Sequence, residues 1–384
     1  MQSLHFGAGN IGRGLIGKLL SESGFNVIFA DVNLELVDAI NYYKQYNIRI
    51  VDKYKDEIQC VKKISAIHVE NPDIYKIIAN TNLITTAVGF NILEKISMII
   101  TQGIIYKINT SSQMPLNIIA CENKALSSSY LKKMILSNIP IEYHAYIQKY
   151  IGFVDCSIDS IIPSVQHKEK DILFLMAENF QEWIVNPNQF KGKIPDIINM
   201  KFSNNLIAYI ERKLFTLNTG HAIAAYLGLL KKYKTIKEAI SDHDIRNIVK
   251  SAMQESGNVL INRYHFNKND HLSYINTIFC RFENAFLIDS LERIGRNPLQ
   301  KLEKQERLIK PLLGAIEYNL PYKNLIKGIA SVFHYHNKND RESMKINFLI
   351  KKDGIQKTIL NICQLKQYSY VVDSILTEYQ YFFS

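Results

Sequence analysis

Gly7 Ala8 Gly9 Asn10 Ile11 Gly12 Arg13 Gly14 is the stretch that decides how the first part of this 384-residue chain folds. Apolar residues 4–6 precede it, and an apolar pattern at helical spacing follows it through residues 15–20. Strand, glycine-rich turn and helix in this order are typical of a unit that binds a dinucleotide. The first glycine permits the tight turn, the second lets the backbone approach a pyrophosphate, and the third lets the helix pack on the strand.

The cofactor contacts follow from this geometry. A helix N-terminus presents unpaired N–H groups to phosphates, so we predict that Gly7 to Arg13 bind them, with the Arg13 cation beside them. Asp31 ends the next strand, about 20 residues on, where a carboxylate accepts ribose hydroxyls and repels a 2′-phosphate, which favours NAD over NADP. Thr86 and Val88 end a later strand and are expected near the cofactor. The alternative is an ordinary glycine-rich turn with a surface aspartate.

The architecture divides near residue 190. Before it, strands alternate with helices, which predicts an α/β doubly wound domain over residues 1–190, with one antiparallel pair at 48–51 and 58–61. After it, amphipathic patterns predict a nearly all-helical domain over residues 191–384. The expected helices cover residues 205–231, 236–264, 271–282 and 308–318.

Composition excludes several classes of protein. The chain is 47% hydrophobic and contains no apolar run long enough to span a membrane. Its formal charge of +10 is dispersed, so we expect neither a nucleic-acid nor a membrane partner. The five cysteines are scattered, which fits neither a disulfide framework nor a thiolate zinc site. The first residues lack a secretory signal, so we expect a cytoplasmic protein, as a monomer or weak homo-oligomer.

Three polar side chains lie on one side of the apolar helix predicted at 205–231. At α-helical spacing, Lys213, Asn218 and His221 fall within an arc of about 140° along roughly 12 Å of axis. One small molecule could therefore touch all three. The alternative is a helix of mixed character whose Lys213 side chain extends to solvent.

Together with the glycine-rich turn, the spacing Lys213-x4-Asn218-x2-His221 resembles the polyol-specific long-chain dehydrogenases of the mannitol dehydrogenase family. Residues 4–17, 118–123, 211–221 and 282–302 carry the likeness, in collinear order. The resemblance implies an N-terminal Rossmann-type domain, a C-terminal helical domain and an active site between them. It also implies reversible hydride transfer between D-mannitol 1-phosphate with NAD and D-fructose 6-phosphate with NADH.

The resemblance assigns roles to individual residues. Lys213 is the expected general base, which requires a pKa lowered toward neutrality by burial or nearby cations. Asn218 and Asn123 are the expected amides that bind the reacting oxygen, and His221 orients the substrate. Asp159 is expected to bind substrate. No metal is implied, because the lysine takes its acid–base role.

A basic segment is the expected binding site for the substrate phosphate. Arg293 and Arg296 share a helix face at i and i+3, and Lys301 follows. Guanidinium groups suit a phosphate better than ammonium groups do. We therefore expect these three cations to select a phosphorylated substrate. The alternative is a solvated basic helix.

One position departs from the family pattern. The family usually shows V-D-R-I-x-P at the end of its first domain, and here Ser160 stands in place of the arginine. Two other functions stay open. One is a reductase for an unphosphorylated polyol or a hexuronate, and the other is an NAD-binding sensor without catalysis, or a nucleic-acid binder.

Overall fold

The computed structural model describes residues 1–52, 55–163, 171–287 and 289–382. The chain forms two compact units, Met1–Tyr209 and Ile210–Ser384. The first unit extends past the boundary predicted at residue 190, because residues 200–202 pair in parallel with residues 183–185.

The first unit is α/β. Its strands are β1 (Gln2–Phe6), β2 (Asn26–Asp31), β3 (Tyr46–Val51), β4 (Asp56–Val61), β5 (Ile64–His68), β6 (Leu83–Thr86), β7 (Leu116–Ala120), β8 (Ile151–Phe153), β9 (Cys156–Asp159), β10 (Leu175–Glu178), β11 (Glu182–Val185) and β12 (Met200–Phe202). Its helices are α1 (Lys18–Glu22), α2 (Leu34–Tyr43), α3 (Asp73–Asn80), α4 (Leu93–Asn109), α5 (Ser127–Asn138) and α6 (His144–Tyr150).

The central sheet is parallel throughout, in the order β5-β2-β1-β6-β7-β8. This is the strand order of a doubly wound dinucleotide-binding sheet, as predicted. Apolar side chains cover both faces. Leu4 and Phe6 of β1 face one core cluster, and Phe29 of β2 faces the other. Burial on both sides explains why these strands read as nearly continuous apolar runs.

The first unit also contains two small three-stranded sheets, in the orders β10-β3-β4 and β12-β11-β9. The antiparallel pairing of β3 with β4 confirms the prediction for residues 48–51 and 58–61.

The second unit is helical, as predicted. Its helices are α7 (Leu206–Lys213, which begins in the first unit), α8 (Thr219–Leu230), α9 (Ile236–Ser241), α10 (His243–Tyr264), α11 (Lys268–Phe282), α12 (Leu291–Gly295), α13 (Pro298–Lys301), α14 (Ile309–Glu317), α15 (Lys323–Val332), α16 (Arg341–Asp353), α17 (Ile355–Ile362) and α18 (Ser369–Tyr381).

Two of the predicted helices are interrupted. A π-helical segment, Leu214–Asn218, joins α7 to α8. The helix predicted at 236–264 is two helices, because the Asp242 side chain accepts hydrogen bonds from the N–H groups of Asp244 and Ile245 and so caps α10. No helix among the described residues is long and apolar enough to cross a membrane.

Candidate active site

The three glycines of the nucleotide turn meet different surroundings. Gly7 has φ +96°, and a Cβ there would lie 2.6 Å from the Ala87 carbonyl oxygen. A Cβ on Gly12 would lie 1.9 Å from the Gly7 carbonyl oxygen. A Cβ on Gly9 would meet nothing within 4 Å. The turn itself therefore requires glycine at positions 7 and 12. At Gly9 no side chain covers the backbone, which leaves room for a pyrophosphate.

The carboxylate of Asp31 is held against this turn. Its Oδ2 accepts the N–H of Ala8 at 2.6 Å, and its Oδ1 accepts the N–H of Asn33 at 2.9 Å. Each carboxylate oxygen keeps further lone pairs for ribose hydroxyls. The residues present therefore fit a dinucleotide with a free 2′-hydroxyl.

The next two residues of the turn are partly buried. The Asn10 amide donates to the carbonyl oxygen of Ile162 at 3.4 Å, and Ile11 packs against the apolar core. Both residues begin a helical stretch that continues through a π-helical segment, Gly12–Gly17, into α1. Their predicted contact with the cofactor stays a prediction.

Arg13 is held within the first unit. Its side chain is buried, and its Nε donates to the carbonyl oxygen of Ala8 at 2.7 Å. One Nη donates to the carbonyl oxygen of Leu173 at 2.9 Å, and the guanidinium lies 5.8 Å from the ring centroid of Tyr46. These contacts brace the turn, and the predicted place of the Arg13 cation beside the phosphates stays a prediction.

The strand ends at β6 and β7 are joined by a buried carboxylate that sequence reasoning missed. Glu122 accepts the Thr86 hydroxyl at 2.7 Å, the Val88 N–H at 3.1 Å and the Gly89 N–H at 2.8 Å. The Thr86 hydroxyl therefore binds this carboxylate within the unit, and the predicted position of Thr86 near the cofactor stays a prediction. An acidic residue directly after a buried strand was the available signal.

Asn123 follows Glu122 in a bend at the carboxyl end of β7, and its side chain is exposed. Asp159 ends β9, where it is buried and lies opposite Glu182 in the antiparallel ladder. The Ser160 hydroxyl, at the position of the family arginine, is buried without a hydrogen-bond partner among the described residues.

In the second unit, the π-helical segment begins directly after Lys213 and ends at Asn218, the next predicted catalytic residue. The Thr219 N–H binds the carbonyl of Leu214, five residues back, instead of the carbonyl four residues back. Residues five apart are then neighbours on one face, so Lys213 and Asn218 align more closely than the 140° of an α-helix. Both side chains are half-buried among buried neighbours.

His221 follows on α8 and is fixed on two sides. Its Nε2 lies 3.1 Å from Oδ2 of Asp289, and its ring stacks on Phe282 with centroids 5.2 Å apart. Burial alone would raise the pKa of Asp289, but His221 and Arg293 outweigh it and hold that pKa below its ordinary value. No local sequence pattern identified Asp289 as this partner.

The helix before Lys213 is anchored by charge. Glu211 is buried, and its carboxylate binds Lys310 at 2.7 Å, Arg263 at 2.9 Å and the Tyr264 hydroxyl at 2.9 Å. These contacts fix the end of α7 that carries Lys213.

The neighbouring Arg212 lies in an aromatic setting. Its guanidinium is 4.3 Å from the ring centroid of Tyr274 and 6.0 Å from that of Phe266. Burial, with the Arg212 charge, lowers the pKa of His271 beside it to about 4, so that imidazole stays neutral at physiological pH. A fixed cation thus adjoins Lys213 in sequence.

The predicted phosphate ligands separate into two kinds. Arg293 pairs with Asp289 through two nitrogens and keeps 58% of its side chain exposed. It lines, with Arg296 and Arg341, a cavity of about 720 Å³ whose wall also carries the carboxylates of Glu292, Asp340 and Glu342. Lys301 is buried, its ammonium donates to the Arg296 carbonyl, and burial lowers its pKa to about 8. The Lys301 ammonium thus binds the backbone of Arg296, and its predicted contact with the phosphate stays a prediction.

Among the residues that the structure describes, no group of three or more His, Cys, Asp and Glu side chains could hold a metal ion.

Known proteins match this chain over both of its units. The model of the mannitol dehydrogenase Rossmann domain matches residues 1–199, and that of the mannitol dehydrogenase C-terminal domain matches residues 205–383. A mannitol-1-phosphate 5-dehydrogenase of Buchnera aphidicola subsp. Acyrthosiphon pisum (strain Tuc7) is 64% identical over 99% of this chain and 98% of its own. The protein of the same name from Buchnera aphidicola subsp. Schizaphis graminum (strain Sg) is 55% identical over the same shares.

Solved structures with the same fold include Pseudomonas fluorescens mannitol 2-dehydrogenase in a ternary complex with NAD and D-mannitol. It is 15% identical, with a TM-score of 0.79 over 99% of this chain and 91% of the other. A substrate-free D-sorbitol dehydrogenase, also 15% identical, gives a TM-score of 0.78 over 97% of this chain and 94% of the other.

Proposed function

The chain belongs to the mannitol dehydrogenase family, and on that basis we propose that it is an NAD-dependent oxidoreductase that interconverts D-mannitol 1-phosphate and D-fructose 6-phosphate. The observation that carries the proposal is the alignment of Lys213 with Asn218 across the π-helical segment. It puts an ammonium and an amide together on one helix face, which suits proton transfer at a single oxygen.

The nucleotide turn and Asp31 are the residues that would hold the cofactor. Open backbone at Gly9 accommodates the pyrophosphate, and the Asp31 carboxylate accepts ribose hydroxyls and repels a 2′-phosphate. When bound, NAD accepts the hydride from the alcohol carbon, and NADH returns it.

Lys213 performs the proton chemistry. In the oxidation its neutral amine takes the hydroxyl proton of the alcohol, and in the reduction its ammonium returns that proton to the carbonyl oxygen. The Asn218 amide donates to the same oxygen, and Asn123 is the proposed second donor.

His221 orients the substrate. Because Nε2 faces the Asp289 carboxylate, it carries the proton, and Nδ1 is left as an acceptor for a substrate hydroxyl. Asp289 therefore sets the tautomer of the imidazole, and Arg293 fixes Asp289 in turn.

Arg296 is the proposed phosphate ligand. It stands at the end of α12 in a cavity lined by three arginines and by the carboxylates of Glu292, Asp340 and Glu342. Lys301 fixes its backbone. A guanidinium offers a phosphate paired N–H donors in a fixed geometry. The phosphorylated end of the sugar would be recognised there.

The test is NADH oxidation with fructose 6-phosphate, comparing the unaltered chain with Lys213→Ala. We expect robust turnover that falls by more than 100-fold in the variant, because the acid–base group is lost. Lys250→Ala, which removes an exposed lysine of α10, is the matched control and should keep full activity. Full activity in Lys213→Ala would disprove the base. Faster turnover of fructose, fructuronate or tagaturonate would instead favour an unphosphorylated substrate.

A further inference from the structure

The π-helical segment between Lys213 and Asn218 leaves one carbonyl without its usual partner. In an α-helix the Thr219 N–H would bind the Phe215 carbonyl, but here it binds the carbonyls of Leu214 and Thr216. Phe215 is fully buried, so water does not reach its carbonyl easily. A buried carbonyl needs another donor, because leaving it unpaired is costly.

Ser256 supplies that donor from the neighbouring helix α10. Its hydroxyl is 2.6 Å from the Phe215 carbonyl oxygen, and the Ser256 side chain is completely buried. The hydroxyl also lies 3.1 Å from the carbonyl of Met253 in its own helix, a longer contact. Its shorter hydrogen bond therefore goes to Phe215.

The packing of the two helices allows Ser256 to reach this carbonyl. A Cβ on Gly220 of α8 would lie 2.6 Å from Sδ of Met253 on α10. A larger side chain at that position would push the helices apart. The glycine therefore permits the close approach that the hydrogen bond from Ser256 needs.

A second hydroxyl holds the other end of the segment. Oγ1 of Thr219 lies 3.0 Å from the carbonyl oxygen of Leu214 and 2.6 Å from that of Arg307. The π-helical segment is thus tied to two neighbouring parts of the unit by buried hydroxyl groups.

We propose that Ser256 is a positioning residue for catalysis: by binding the Phe215 carbonyl it maintains the π-helical segment that sets Lys213 and Asn218 on one face of the helix. The expected effect on kcat rests on the proposed function, whereas the role of Ser256 in maintaining the π-helical segment does not. Without the hydroxyl, the Phe215 carbonyl is paired again when the Thr219 N–H returns to it. That change restores α-helical spacing and turns Asn218 away from Lys213.

The kinetic test compares Ser256→Ala and Ser256→Thr with the unaltered chain in the reduction of fructose 6-phosphate. Ser256→Ala should lower kcat roughly 100-fold, as expected for misplaced catalytic groups, while the KM for fructose 6-phosphate and the Kd for NADH stay within about threefold. The deuterium isotope effect with 4-deuterated NADH should rise, because the chemical step becomes slower. Ser256→Thr keeps the hydroxyl and should retain most of the activity.

Ser331→Ala is the matched control. Ser331 is equally buried in the same unit, but its hydroxyl binds the Gly328 carbonyl within its own helix at 2.7 Å. This variant should keep kcat and the isotope effect. An equal fall of kcat in Ser331→Ala, or an unchanged isotope effect in Ser256→Ala, would overturn the kinetic role of Ser256.

A crystal structure of Ser256→Ala separates this inference from the proposed function. We expect the Thr219 N–H to bind the Phe215 carbonyl in the variant. If that N–H still binds the Leu214 carbonyl, the inference is overturned whatever the activity. If the unaltered chain fails to reduce fructose 6-phosphate, the proposed function fails, and the crystal structure still decides the role of Ser256. If Ser256→Ala does not fold, Ser256→Cys, which keeps a weak donor, takes its place in both measurements.

Discussion

Two glycines of the nucleotide turn should respond differently to the same substitution. In Gly9→Ala the new methyl group meets nothing within 4 Å, so the melting temperature should stay unchanged. The methyl would, however, occupy the approach of the pyrophosphate, and we expect the Kd for NADH to rise about tenfold or more, roughly 1.4 kcal/mol. Fluorescence titration with NADH measures the change.

Gly12→Ala is the contrasting variant. Its methyl group would lie 1.9 Å from the Gly7 carbonyl oxygen, so this substitution should lower the melting temperature itself. Normal NADH affinity in Gly9→Ala would show that the cofactor does not approach the turn as we propose.

The arginine at the end of α12 should determine the preference for phosphate. Arg296→Leu removes a guanidinium from the cavity that it shares with Arg293 and Arg341, so the KM for fructose 6-phosphate should rise at least tenfold. The KM for unphosphorylated fructose should change little, because fructose makes no such contact. Steady-state kinetics with both sugars measures the difference, and equal effects on both would contradict the assignment.

At the scale of residues, the sequence predicted which polar residues lie near the candidate sites better than it predicted where their side chains point. It identified Arg13, Thr86 and Lys301 as polar groups close to the predicted sites, but their donors face carbonyls or a carboxylate within their own unit. A motif fixes which residue follows a strand, whereas the direction of a long side chain depends on partners distant in sequence. Asp289 and Ser256 were missed for the same reason, since each acts on a residue more than 40 positions away.

At the scale of elements, hydrophobic periodicity identified the strands of the central sheet because both of its faces are buried. It also identified the apolar helix at 205–231. It could not reveal the π-helical segment within that helix, Leu214–Asn218, because one inserted residue shifts the pattern less than the width of the apolar face. The hydroxyls that stabilise the segment come from Ser256 and Thr219.

The helix that carries Lys213 should lose stability when its buried anchor is changed. Burial alone would raise the pKa of Glu211, but its contacts with Lys310, Tyr264 and Arg263 hold the pKa below the ordinary 4.5. Replacing one member of a buried ion pair costs about 3 kcal/mol, so Glu211→Gln should lower the free energy of unfolding by roughly that amount at pH 7. Urea denaturation measures it.

The sign of the pH dependence follows from the lowered pKa. The Glu211 carboxylate contributes its stability above about pH 4.5 and loses it as the pH falls through the lower pKa of the folded state. The difference between Glu211→Gln and the unaltered chain should therefore shrink in acid. Glu57→Gln, at an exposed ion pair with Lys55, is the control and should have little effect at any pH. A difference that does not depend on pH would show that Glu211 acts through shape rather than charge.

At the scale of the whole molecule, alternation of strands and helices followed by helices alone was enough to predict two units of different class. The exact boundary depends on β12, which is three residues long. No local sequence pattern predicts its pairing with β11. The net charge of +10 belongs to this scale too, and the prediction of no polyanionic partner rests on the dispersal of the basic residues along the sequence.

Cofactor binding should stabilise the first unit in particular, because the nucleotide turn and Asp31 both lie within Met1–Tyr209. A ligand that binds only the folded state adds about 2.7 kcal/mol at 100 times its Kd. For a unit of this size, that corresponds to a rise of roughly 5–10 °C in melting temperature. Differential scanning calorimetry with NADH should show this rise, and NADPH at the same concentration should give a much smaller one, because Asp31 repels the 2′-phosphate. Gly9→Ala should reduce the NADH effect without changing the melting temperature of the free protein. An equal rise with NADH and NADPH would contradict the role of Asp31, and no rise with either would contradict cofactor binding at the turn.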